Sequence, residues 1–132
     1  MRRRTYINED NSNQYSLCVA FIQSDETLFD WEILFNSRNS TEIYYISGYN
    51  NEKTKLTKQS RYKLSDLYKN YTYFEIYMEF DMTIELEITL FSSDNIIGED
   101  IKEYHLECYT TPQDRNQRFE YTINKDEGFV KI

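Results

Sequence analysis

The chain has 132 residues, a net charge of −8 and only three glycines, a size that suits one domain. No stretch approaches the roughly 18 consecutive apolar residues of a membrane-spanning helix. Residues 1–70 carry +1 and residues 71–132 carry −9, a field that repels phosphate backbones and acidic lipid and attracts basic surfaces, so neither direct nucleic-acid binding nor membrane association is expected.

Ile, Leu, Val and Phe together number 32, only a little above the level at which a highly charged chain stays unfolded. Thirteen Tyr supply the remainder of an aromatic interior. Ile outnumbers Val 13 to 2 and there is a single Ala. A/T-rich codons give that profile without selection on function, and an AT-rich genome would account for much of the tyrosine excess.

In chain order, residues 1–14 are basic and then polar, with no periodicity, and read as a mobile N-terminal arm ahead of one domain over 15–132. Arg2, Arg3 and Arg4 are followed by a polar stretch rather than the apolar core of a signal peptide, so a cytoplasmic location is expected. The glycosylation patterns at Asn39 and Asn70 are then chance matches. Cys18 and Cys108, ninety positions apart, form no metal or redox motif and are expected as small buried thiols.

From Tyr15 the pattern becomes that of strands. Tyr15, Leu17, Val19 and Phe21 alternate with Ser16, Cys18, Ala20 and Ile22, as in a central strand. Phe29, Trp31, Ile33 and Phe35 share one face of a second strand, with Asp30 and Glu32 on the other, and Glu42 to Tyr49 reads as a third. Residues 52–69 carry +4 and read as a basic loop with one short helix on Leu64, Leu67 and Tyr68, capped by Ser60 or Ser65.

The strongest signal follows. Phe74, Ile76, Met78, Phe80, Met82, Ile84, Leu86, Ile88 and Leu90 occupy every second position for seventeen residues. No helix gathers period-2 positions onto one face. A single straight strand of that length spans about 55 Å at about 3.3 Å per residue, too long for so small a domain. A two-residue hairpin would invert the parity, so the run is either one bent strand shared between two sheets or a hairpin with an odd-numbered loop, turning near Asp81. After a loop over 92–100, Tyr104, Leu106 and Cys108 alternate again. Thr110 to Asn116 turns the chain, Phe119, Tyr121 and Ile123 form a strand, Asn124 to Gly128 a short hairpin loop, and Phe129 to Ile132 a last strand. About seven or eight strands with polar turns point to an all-β fold, an antiparallel β-sandwich or compact barrel.

Chemistry is sparse. The lone His105 alternates with Glu103 and Glu107 on one face, while Cys108 falls on the other, which excludes a local Cys–His couple. No phosphate-binding loop, His/Cys cluster or calcium loop is present, so no cofactor, metal or catalytic residue is assigned. What remains is the polar side of the long run. Tyr73, Glu75, Tyr77, Glu79, Asp81, Glu85 and Glu87 form an acidic, aromatic stripe without a cation. It reads either as a docking surface for a basic protein or as a surface neutralised from within by Lys53 to Lys69 or Arg118. Acidic ladders with spaced tyrosines also imitate a nucleic-acid backbone, which would suit a small inhibitor of a nucleic-acid enzyme. The alternative is a carbohydrate or small-ligand site built on Trp31, or on Tyr44, Tyr45, Tyr49 and Asn50, although Trp31 reads more simply as a core residue.

Overall fold

The computed structural model describes residues 15–23, 28–37, 42–47, 53–57, 60–69, 73–80, 83–92, 101–111 and 116–132. The N-terminal arm, Asp81, the loop expected over 92–100, Tyr49 and Asn50 lie outside them or mostly so. Ten strands and one helix follow in order: β1 Tyr15–Gln23, β2 Glu32–Ser37, β3 Tyr44–Ser47, β4 Thr54–Lys55, β5 Arg61–Lys63, α1 Leu64–Tyr68, β6 Tyr73–Phe80, β7 Ile84–Phe91, β8 Glu103–Thr110, β9 Gln117–Asn124 and β10 Gly128–Lys131. They form two open sheets, of six strands in the order β10-β9-β1-β6-β3-β4 and of four in the order β5-β2-β7-β8.

The strand count exceeds the seven or eight expected because the basic segment is more than a loop with a helix. It holds β4 and β5, too short to show a period. β4 pairs with β3 and β5 with β2. The helix falls where Leu64, Leu67 and Tyr68 predict it, and all three are buried. Its N-cap is Lys63, with no side-chain cap, rather than Ser60 or Ser65. Its first N–H groups bond backbone carbonyls instead, Leu64 to Trp31 at 2.8 Å and Ser65 to Phe29 at 3.1 Å, and burial of its apolar side chains adds to that hold. One further correction concerns strand direction. β1 runs antiparallel to β6 but parallel to β9, from Leu17 opposite Gln117 to Gln23 opposite Ile123. Parallel neighbours require a crossover rather than a tight turn, and seven other strands intervene between these two in the chain.

The seventeen-residue run is divided between the sheets. β6 lies in the six-stranded sheet between β1 and β3, β7 in the four-stranded sheet between β2 and β8, and the two do not pair. Of the two parity-preserving arrangements, the chain takes the one that passes from sheet to sheet. The apolar parity survives the passage, since Phe74, Ile76, Met78, Phe80, Ile84, Leu86, Ile88 and Leu90 are all buried. The inner faces of both sheets contribute to one buried cluster, in which Phe21 of β1 meets Phe74 at 5.1 Å and Phe35 of β2 at 6.2 Å between ring centroids.

At the other end of the chain, β9 and β10 form the hairpin that the sequence suggests. The Asn124 side-chain oxygen accepts the N–H groups of Asp126 (3.0 Å) and Glu127 (2.7 Å), and Gly128 follows at φ +76°. Glycine is required there twice over. The backbone is left-handed, and a Cβ would lie 2.4 Å from Cγ of Tyr104 in β8.

Candidate interaction surface

The outward side chains of β6 are Tyr73, Glu75, Tyr77 and Glu79, alternating with its buried positions. β1 and β9 decide what surrounds them. Cys18 stands opposite Tyr77 on one side and Arg118 on the other, so the central strand brings Arg118 within reach of the acids of β6. The guanidinium is well occupied. Nη1 donates to Glu75 Oε2 and to Cys18 Sγ, both at 3.0 Å, and Nη2 donates to the Tyr73 hydroxyl oxygen at 2.8 Å and to Glu120 Oε2 at 3.3 Å. The Tyr73 hydroxyl in turn donates to Glu75.

These contacts set the protonation of the group. Burial pushes the Glu75 carboxyl up, but hydrogen bonds from Tyr73 and Arg118, with the arginine's charge, outweigh it and hold the carboxyl below its ordinary value. Burial, with the nearby Glu75 carboxylate, pushes the Cys18 thiol up to about 12. Burial and the hydrogen bond to Glu75 likewise push Tyr73 up to about 12. At neutral pH the Cys18 thiol and the Tyr73 phenol are therefore uncharged, and Glu75 is a carboxylate held by the arginine. Farther along the face, Lys53 sits 3.8 Å over the Tyr77 ring.

β7 meets different company. Its outward positions Glu85, Glu87 and Thr89 face Tyr109, Glu107 and His105 of β8. Glu87 and Glu107 stand directly opposite each other across the two strands. A depression of about 390 Å³ lies here, lined by Glu85, Leu86, Glu87, Glu107, Cys108 and Tyr109. Tyr109 is 60% exposed, a large aromatic at the surface. His105 is exposed beside Glu103 at 3.4 Å. On the same outer face, toward the β5 edge, Arg61 pairs with Glu32 at 2.9 Å and covers the Phe91 ring at 3.7 Å.

The stripe read from the sequence is thus not one surface. Tyr73, Glu75, Tyr77 and Glu79 lie on the outer face of the six-stranded sheet, Glu85 and Glu87 on the outer face of the four-stranded sheet, and Asp81 lies outside the described residues. Internal neutralisation reaches Glu75 through Arg118. In the basic segment, Lys55 pairs with Glu42 at 3.3 Å and Arg61 with Glu32, acids outside the stripe. Sequence reasoning left out Glu103, Glu107 and Tyr109 as surface residues of the site. The parity of β8 was the available signal for them, but their pairing with β7 was not.

The other candidates are also placed. Trp31 is buried and stacked on Tyr104 at 6.0 Å. Tyr44 and Tyr45 are adjacent in β3 and so point to opposite faces, with Tyr45 packed against the core. His105 is exposed while Cys108 is buried. Burial pushes the Cys108 thiol up to about 11. Among the described residues no three His, Cys, Asp or Glu side chains gather to hold a metal ion, and no helix is long and apolar enough to cross a membrane. Comparison with known protein families, with characterised proteins and with solved structures finds no match to this chain.

Proposed function

We propose that this chain is a non-enzymatic interaction domain, its two sheets packed as a sandwich, that docks a basic protein surface on the outer face of β7 and β8. The observation that carries this reading is the direct opposition of Glu87 and Glu107, with Glu85, Glu103 and the exposed Tyr109 beside them. Carboxylates facing each other across two strands give a cationic side chain set between them attraction from both. Exposed tyrosine beside charge is also the composition of binding hot spots. The β6 half of the stripe contributes less, because Arg118 already answers Glu75. The split between sheets also shortens any ladder that would imitate a nucleic-acid backbone. The carbohydrate reading has little support, since Trp31 and Tyr45 face inward.

Surface-immobilised lysine-rich peptide, read by association rate against salt, tests the proposal. Glu85→Lys with Glu107→Lys should slow association strongly and leave the melting temperature within a few degrees, whereas Glu79→Lys on the other sheet should change little. Undiminished association by the double reversal, or no salt dependence, defeats it.

A further inference from the structure

The four strands at the sheet edges differ in length. β4 spans Thr54–Lys55, β5 Arg61–Lys63 and β10 Gly128–Lys131, whereas β8 runs the full Glu103–Thr110. Short edges offer few backbone groups to a foreign strand, and a long edge is a template for one. β7 occupies one side of β8 along its whole length. At the Tyr104 end the β9–β10 hairpin meets the strand's inward side chain, where the Tyr104 hydroxyl donates to the Lys125 carbonyl at 2.9 Å and Gly128 packs against the ring. From His105 to Tyr109, no backbone hydrogen bond to another described residue exists beyond the ladder with β7.

The side chains along this edge specify what would fit. On the outer face stand Glu107, with Glu103 and Glu87 near it, and Tyr109. On the inner face Leu106 is only half buried at the margin of the core. We propose that β8 takes up an extended basic segment of a partner protein as an added strand. Its Lys or Arg side chains would lie beside the carboxylates, and the apolar side chains between them would cover Leu106. A second copy of this chain is a poor occupant, because it brings the same carboxylates to a face already acidic. The inference rests on the docking reading above and adds that backbone, not charge alone, makes the contact.

Three short acetylated and amidated peptides test it against the full chain at low salt. One alternates Lys and Val. The second has the same sequence N-methylated at one central Lys and one central Val, which blocks both edges of the strand and keeps every charge. The third alternates Thr and Val. The Lys/Val peptide should bind and slow amide exchange between His105 and Tyr109, and the methylated one should bind on the order of tenfold more weakly or worse, as loss of backbone hydrogen bonds implies. Equal binding of the first two overturns strand addition while leaving charge-driven docking in place. Binding of the Thr/Val peptide as tight as that of Lys/Val overturns the choice of a basic segment. Failure of both charged peptides to bind overturns the docking reading together with this inference.

Discussion

β6 and β7 carry nearly the same sequence pattern, large apolar residues alternating with acids, and meet different neighbours. β6 lies beside β1, across which β9 delivers Arg118, and its outward acid Glu75 becomes a hydrogen-bonded carboxylate with 17% of its side chain exposed. β7 lies beside β8, which delivers Glu107 opposite Glu87. The inner faces are equivalent and the outer faces are not. A strand's own sequence decides which way its side chains point, and its neighbours decide what those side chains do.

The equivalence of the inner faces is the part with the largest measurable effect. Ile76→Ala in β6 and Ile88→Ala in β7 should each cost about 2–5 kcal/mol in denaturant unfolding, as buried large-to-small changes do. Thr89→Ala, facing outward, should cost far less. A small loss at one of the two isoleucines would show that half of the run to be outside the core.

The outer faces should then separate. Arg118→Ala removes hydrogen bonds to Glu75, Glu120 and Tyr73, and with 47% of the arginine side chain exposed the cost should be about 1–2 kcal/mol. Because the Glu75 carboxyl is held below its ordinary 4.5, its contribution is complete above that pH and disappears as pH falls through the lowered folded value. The melting-temperature gap between the wild type and Glu75→Gln should therefore be constant from pH 7 down to about 5 and close as the pH falls below the ordinary 4.5. A gap that instead widens on acidification would mean that Arg118 does not hold the carboxylate charged. On β8 the sign reverses. Glu107→Gln removes the like charge opposite Glu87 and should raise stability by about 0.2–1 kcal/mol at low salt, shrinking as salt is added. The smallest expected effect is none at all. With both thiols free and pushed up to about 12 and 11, alkylation of native protein at pH 8 should be slow, and a reducing agent should leave the melting temperature unchanged.

Period and parity made the strands legible. The run from Phe74 to Leu90, the positions of Leu64, Leu67 and Tyr68, and the Asn124–Gly128 hairpin could all be read because each is set by residues close in sequence. β4 and β5 escaped because two or three residues show no period. Strand order escaped for a different reason. The parallel meeting of β1 and β9 joins positions one hundred apart, such as Cys18 and Arg118, and no local pattern encodes it. Arg118 could be named as a cation able to answer the acids, but which acid it answers depended on that pairing. For the same reason the stripe read as one surface: alternation specifies a face of a strand and says nothing of which sheet the strand will join.

That strand order also bears on how the chain can assemble as it is synthesised. Among the described residues, β1 pairs only with β6 and β9, and β2 only with β5 and β7, while β3 finds β4 and β6. Until residues 73–80 have emerged, the first strand has no ladder partner, and one of its two sides stays open until residues 117–123 follow. A central strand of the larger sheet is thus made before either of the strands that flank it. Contacts this distant in sequence slow folding and prolong the exposure of apolar segments, so Leu17, Val19 and Phe21 are the stretch that a nascent chain must keep from other chains for longest.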